Sequence, residues 1–190
     1  MYKIVAKEKL SPVIDYFRVI APEIAKKAQP GQFVIIRIDE TGERIPLTLA
    51  DWDSNEGTIT LVAMQVGTST MKLGCLNKGD SILNLVGPLG LPSHLKNYGT
   101  VICVGGGVGV APIYPIARGL KNAGNRVISI IGARNKELLF WEDRMRSVSD
   151  EMIVTTDDGS YARKGLVTEP LKELLEKDKN IGQVIAIGPE

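Results

Sequence analysis

The rhythm of hydrophobic and polar positions changes once along this chain. Through the first half, short β-branched runs at residues 31–38, 57–66 and 80–86 recur between turn signals. Runs of this length and spacing predict the strands of a small closed antiparallel sheet. From about residue 99, apolar runs alternate with segments of helical period. Residues 101–104, 126–131, 151–155 and 183–187 read as strands, and residues 113–122, 138–147 and 167–177 as helices. Strand–helix alternation predicts a parallel sheet covered on both faces, with ligands at the carboxyl ends of its strands. The Gly- and Pro-rich segment 87–92, with the residues after it, is the expected hinge. The fold expected is therefore two domains. An N-terminal antiparallel Greek-key β-barrel spans 1–96, and an α/β parallel-sheet domain, incomplete at its carboxyl end, spans 97–190.

Composition narrows the classes of function. The chain has 190 residues, 44% hydrophobic and 24% charged, enough to bury one substantial core or two modest ones. Its formal net charge is +1, and it has no basic block long enough to track a phosphate backbone, which argues against nucleic acid as a partner. The start alternates charged and apolar residues without the apolar core of a signal peptide, and no apolar stretch approaches the roughly 20 residues of a membrane span. A cytoplasmic location is expected. Cys75 and Cys103 are the only cysteines, too few for a disulfide framework or a CxxC metal site.

The first chemical signal is the turn Gly105-Gly106-Gly107-Val108-Gly109, which follows an apolar strand and leads into Val110-Ala111-Pro112. Glycines let a pyrophosphate approach backbone N–H groups, and a helix starting near Ala111 aims its unpaired N–H groups at the same place. Pro112 suits a first helical turn. No Gly-Lys-Ser/Thr follows and no G-x-G-x-x-G can be read, so this is neither a Walker A loop nor the usual dinucleotide fingerprint. A tight turn that binds nothing is the plainer alternative, and four glycines in five positions weigh against it.

With that architecture, the motifs resemble the ferredoxin-NADP reductase family along the whole chain, and within it the small electron-transferring subunits. The glycine turn is similar to the family's G-G-G-x-G-x-A-P, which holds the pyrophosphate of a nicotinamide dinucleotide. Gly132-Ala133-Arg134 with residues 138–142 resembles its second-strand exit, and Thr156-Asp157-Asp158-Gly159-Ser160 its third. Arg44-Ile45-Pro46-Leu47-Thr48 resembles the flavin segment, and Val66-Gly67-Thr68-Ser69-Thr70 the flavin pyrophosphate loop. The resemblance implies FAD in the barrel, NAD(H) or NADP(H) in the second domain, and hydride passing between them. Single electrons would then pass between FAD and an iron–sulfur acceptor, either ferredoxin or a larger catalytic redox subunit.

Each implied role has a physical reason. Arg44 offers a fork of donors to the FAD pyrophosphate, and the Thr48 hydroxyl can donate to or accept from the flavin edge at N5. Pro46 and Leu47 would back the ring, and Thr70 would begin a short helix whose free N–H groups bind phosphate. The common family form is R-x-Y-S/T, with an aromatic that stacks on the flavin. Here Pro46-Leu47 and one additional residue precede Thr48, and neither Tyr2 nor Tyr16 is assigned that role. The alternatives are ordinary: a solvated arginine beside Glu43, and a hairpin turn at residues 67–70.

In the second domain Arg134, with Lys136 nearby, favours a 2′-phosphate by charge, whereas the resembling subunits favour NADH. Asp157 and Asp158 lie where ligands bind, or form an Asx turn into Gly159. His94 is read as a surface residue. Gly188-Pro189-Glu190 follows the last strand. In the resembling proteins a Gly-Pro here opens a loop beside the nicotinamide, and the chain continues to a cysteine-rich tail with a [2Fe-2S] cluster. The expectation is of a fragment that lacks that tail. The rival reading is a non-catalytic nucleotide-binding scaffold or regulatory subunit of a larger redox complex.

Overall fold

The computed structural model describes residues 1–189, so Glu190 lies outside the described residues. The chain divides into two compact units between Ser93 and His94.

The first unit is built on β1 (Tyr2–Ser11), β2 (Ile14–Ile20), a single turn α1 (Pro22–Ala25), β3 (Phe33–Arg37), β4 (Arg44–Asp53), β5 (Thr58–Met64), α2 (Thr68–Cys75), β6 (Ser81–Ile82) and β7 (Asn84–Leu89). These strands form one antiparallel sheet in the order β6-β1-β2-β5-β4-β3-β7. Its two outermost strands are separated only by Leu83, whose N–H donates to Ile38 O at 3.1 Å. One residue thus carries the chain from one edge of the sheet to the other, and the sheet curls into a nearly closed barrel. Ile4, Phe17, Val19, Val34, Ile36, Leu49, Ile59, Leu61, Leu73 and Ile82 fill its interior. Alternation along the strands places them there, since successive side chains face opposite sides.

The second unit contains β8 (Thr100–Gly106), a 3-10 turn (Gly107–Gly109), α3 (Val110–Asn122), β9 (Arg126–Ala133), a 3-10 turn (Lys136–Leu138), α4 (Glu142–Ser147), β10 (Glu151–Thr156), β11 (Arg163–Lys164), α5 (Thr168–Lys177) and β12 (Ile181–Ile187). All five strands are parallel, in the order β11-β10-β9-β8-β12. One face carries Ile102, Val104, Ile128 and Ile130 against Val167, Leu171 and Leu174 of the α5 segment, and α3 and α4 pack against the sheet as well. Covering helices explain the near-continuous apolar runs of β8 and β9.

Three expectations are corrected. The N-terminal hairpin β1–β2 replaces a segment read only for its charge pattern. The helix expected over 138–147 is α-helical only from Glu142 to Ser147. The Asn135 side chain accepts from Leu138 N–H at 3.2 Å, and Trp141 has φ 56°, which breaks the helix before α4. There Trp141 meets Tyr114 and Phe140 edge to face, with ring centroids 5.6 and 5.7 Å apart. The expected hinge begins later than residue 87, since residues 87–89 are still part of β7 and Leu89 pairs with Phe33 of β3, and the units divide just after it, between Ser93 and His94.

Cys103 is wholly buried in β8, and burial pushes its thiol from an ordinary 9.0 up to about 12, while Cys75 is exposed. A thiol-specific reagent is therefore expected to label one cysteine in the native protein and two only after unfolding. Rapid native labelling of both would contradict this. The unfolded thiol ionises first, so this group removes stability as pH rises from about 9 towards 12, and unfolding titrations across that window should show the loss.

Candidate functional site

The register of β3 and β4 arranges one face of the barrel. Phe33 pairs with Thr48, Ile35 with Pro46, and Arg37 with Arg44, while β7 sets Val86 beside Ile35. Directly opposed residues share a face. Val34 and Ile36 point to the core, so Phe33, Ile35 and Arg37 face outward with their partners. The result is a platform with an apolar middle of Ile35, Pro46 and Val86, the last 57% exposed. Thr48 and Phe33 stand at one end and two arginines at the other.

The arginines differ. Arg37 is committed to its own turn: Nε donates to Gly42 O at 3.1 Å, and the guanidinium reaches the Glu40 carbonyl and carboxylate. Arg44 is exposed, and among the described residues no carboxylate pairs with it.

Helix α2 begins beside this end. Ser69 Oγ donates to Glu43 Oε2 at 3.2 Å, and Lys72 pairs with Asp39. The two segments read separately in the sequence, around Arg44 and around Gly67–Thr70, therefore lie together. Gly67 precedes the first turn, and a Cβ built there would meet nothing within 4 Å. First-turn N–H groups of Thr68, Ser69 and Thr70 have no carbonyl partner within a helix. With the Thr68 hydroxyl and the Arg44 fork, they form a donor set suited to a pyrophosphate.

Two side chains in this site behave differently from expectation. Leu47 packs with Ile45 against the barrel core, so apolar backing on the platform falls to Pro46, and Leu47 can offer only backbone groups. Thr70 is the third residue of α2 rather than its start. Its Oγ1 accepts from the N–H groups of Val66 and Gly67, both at 3.1 Å, and donates to Gly67 O at 3.0 Å. Its hydroxyl shapes the loop and is already used. Phe33 joins this face beside Thr48, a placement the sequence does not show because cross-strand register is not visible in a single strand.

In the second unit, parallel strands bring their carboxyl ends to one edge. Gly106 lies beside Gly132 in register, Thr156 beside Ala133, and Ile187 beside Gly105. Asp157 N–H donates to Ala133 O at 3.1 Å, and Asp158 N–H to Arg134 O at 3.2 Å, which ties these two exits together. The strand order turns at β8, with β9 on one side and β12 on the other, and such a switch point opens a crevice at the carboxyl edge.

The four glycines of the turn divide by role. Gly107 has φ 53°, and a Cβ there would meet nothing within 4 Å, so it is both left-handed and open. Gly106 faces Gly188 and Pro189, at 3.6 and 3.5 Å from its would-be Cβ. Gly105 and Gly109 are buried: a Cβ on Gly105 would stand 3.0 Å from Val110 Cα, and one on Gly109 would collide with the Ile187 carbonyl. Gly105 packs against α3 and Gly109 against β12, so the open space of the turn lies at Gly106 and Gly107. Ala111 is 2% exposed and likewise faces the interior, whereas Val108 and Pro112 are half-buried at the mouth of α3.

Arg134, Asp157 and Asp158 are exposed at this edge. Asp158 forms the Asx turn, its Oδ1 accepting from Ser160 N–H at 2.9 Å, and hydrogen bonding to Ser160 holds its carboxyl below the usual range. Lys136 N–H donates to Ser160 Oγ at 2.9 Å, and its ammonium lies 5.4 Å from the Tyr161 ring centroid. His94 is exposed. Among the described residues, no group of three or more His, Cys, Asp or Glu side chains can hold a metal ion, and no helix is long and apolar enough to cross a membrane.

Known proteins resemble this arrangement along its whole length. The chain is 46% identical over 187 residues to a dihydroorotate dehydrogenase B (NAD(+)) electron transfer subunit homolog of Thermotoga maritima, covering 98% of this chain and 66% of that protein. It is 33% identical over 178 residues to the dihydroorotate dehydrogenase B (NAD(+)) electron transfer subunit of Desulforamulus reducens, covering 92% of this chain and 68% of the relative. The chain thus spans about two thirds of the length of these relatives. A solved structure of an NADH-dependent reduced ferredoxin-NADP oxidoreductase superposes with a TM-score of 0.91 at 44% identity, covering all of this chain and 68% of that one. No family model matches. A nearly closed antiparallel barrel, a five-stranded parallel unit and these relatives agree: the chain belongs to the ferredoxin-NADP reductase family, among its electron-transfer subunits of the dihydroorotate dehydrogenase B type.

Proposed function

We propose that this chain is a flavoprotein oxidoreductase module. It passes hydride between NAD(P)H and FAD, and single electrons between FAD and an iron–sulfur acceptor on a larger catalytic subunit or a ferredoxin. The observation that carries this reading is the pair of open helix N-termini. Gly67 before α2 and Gly107 before α3 each leave space where a Cβ would meet nothing within 4 Å. Each suits a dinucleotide pyrophosphate, and family membership supplies the two dinucleotides.

FAD, when bound, supplies the exchange between two-electron and one-electron chemistry, and the protein supplies placement. In the first unit, Arg44 and the first turn of α2 hold the pyrophosphate. Pro46, Ile35 and Val86 form an apolar seat for the ring, and Phe33 takes the place of the aromatic absent from residues 44–48. Thr48 presents its hydroxyl to the flavin edge. In the second unit, Gly106, Gly107 and Val108 with the mouth of α3 at Pro112 hold the nicotinamide dinucleotide. Gly188 and Pro189 border the crevice, and Arg134, Asp157 and Asp158 line the exits towards its adenosine half. We assign NAD(H) as the first nucleotide to test and NADP(H) as the second.

The test is the visible spectrum of the protein after adding FAD and removing excess, followed by anaerobic NADH and then NADPH. Retained flavin bleached by either nucleotide supports the module and names its donor. Bound flavin that neither nucleotide reduces overturns hydride transfer by this chain. A hydrogen bond to the flavin edge is worth about one factor of ten in rate. Thr48→Ala is therefore expected to slow anaerobic reduction to about that extent with FAD still bound, and unchanged stopped-flow kinetics would reject its role.

A further inference from the structure

A second polar cluster lies inside the barrel against α2, and none of the roles above uses it. On β2, Asp15, Phe17 and Val19 alternate onto the inward face, and Asp15 is 1% exposed. A carboxylate at such depth is rarely kept for stability, because an apolar residue of similar volume usually serves at least as well. Its polar contacts come from β1 and from the segment that leads into α2. Gln65 Nε2 donates to Asp15 Oδ2 at 2.5 Å, and Lys9 Nζ lies 3.3 Å from Oδ1.

Gln65 immediately precedes the loop into α2, and its backbone N–H donates to Val13 O at 2.8 Å. Its side-chain amide lies against Gly74 in the last turn of that helix. A Cβ on Gly74 would collide with this amide and stand 3.1 Å from Asp15 Oδ2. Lys7 Nζ adds a bond to Gly74 O at 2.5 Å. The segment leading into α2 and the last turn of α2 are therefore anchored to one buried carboxylate and its neighbours.

We propose that Asp15 is a positioning residue for the anion-binding end of α2. Acting through Gln65, it fixes where the N–H groups of Thr68, Ser69 and Thr70 point, and so sets the affinity for the FAD pyrophosphate. The proposal rests on the flavin reading of the first unit. Charge-assisted hydrogen bonds need alignment, and a small displacement of several donors together weakens all of them.

The test exchanges the two partners. Gln65→Glu sets two carboxylates against each other, whereas Asp15→Asn combined with Gln65→Glu restores one carboxylate and one amide in reversed positions. Two readouts are taken on the whole chain: amide hydrogen exchange across residues 66–71 without FAD, and FAD affinity by flavin fluorescence. Q65E is expected to speed exchange and weaken FAD binding about tenfold. The double variant should recover both to within about threefold. Parent-like FAD affinity in Q65E, or a folded double variant no better than Q65E, overturns the proposal. Should Q65E fail to fold, Gln65→Ala gives the same two readouts, and parent-like values there overturn it equally. If the parent binds no FAD while exchange at 66–71 still follows the pair, the flavin reading fails and the role of Asp15 towards FAD fails with it. FAD binding by the parent that all variants share overturns the role of Asp15 alone.

Discussion

Gly109→Ala is expected to destabilise the second unit by about 2–3 kcal/mol, the upper part of the range for forcing atoms into a packed interior. The backbone does not object, since Gly109 has φ −61° and ψ −15°, values that alanine adopts readily. The conflict is steric. A Cβ at this position falls on the carbonyl of Ile187 and close to Gly188 N, so the collision is with main chain of β12 and no rotamer change relieves it. Either β12 shifts away from the start of α3, or the 3-10 turn unwinds. Gly107→Ala is the informative partner. Its space is open but its φ of 53° is left-handed, so the penalty is a backbone strain of about 1–2 kcal/mol. The methyl then stands in the proposed pyrophosphate seat. Urea unfolding and nucleotide titration together separate the two: G109A should lose mainly stability, and G107A mainly nucleotide affinity. Equal stability of G109A and the parent would show that the approach of β12 to α3 is looser than the structure has it.

Arg44→Ala is expected to weaken FAD binding by about 10- to 100-fold, the equivalent of about 1.5–3 kcal/mol for hydrogen bonds to a charged group. Among the described residues no carboxylate pairs with Arg44, so its removal leaves no buried charge behind and the effect falls on the ligand. Arg37→Ala is the control. It removes a guanidinium from the same end of the platform, but one already occupied by Gly42 and Glu40. Arg44→Lys keeps the charge without the planar fork and should fall between the two. Flavin fluorescence titration measures all three, and equal FAD affinity in R44A and the parent would remove Arg44 from the site.

Much of the second unit could be read from the sequence because parallel strands covered on both faces leave long apolar runs, as at 101–104 and 126–131. The barrel was harder. Its β1 has charged residues at Lys3, Lys7, Glu8 and Lys9, a pattern shared by an exposed terminal segment and a curved edge hairpin. Candidates that depend on the backbone, Gly67 and Gly107 above all, were legible because glycine has few reasons to recur beside a helix start, and the structure leaves open space at both. Facing was less legible. Strand alternation puts Arg44, Pro46 and Thr48 on one side and Leu47 on the other, and only pairing with β3 adds Phe33 to that side. Asp15 was invisible for a related reason: an aspartate two residues before Phe17 gives no sign that it points inward with it.

The single-residue passage at Leu83 also decides when the barrel can form. Strand β1 finds its outer neighbour only at Tyr2–Ile82 and Lys3–Ser81, so a nascent chain that has not yet released the residues around 81–89 exposes the backbone groups of both β1 and β3. Contacts that span so much sequence close slowly, and uncovered strand edges recruit other chains. The first unit is therefore most prone to aggregate during synthesis until those last nine residues emerge, and a slowly translated stretch would protect it only if it lies far enough downstream for them to have left the ribosome.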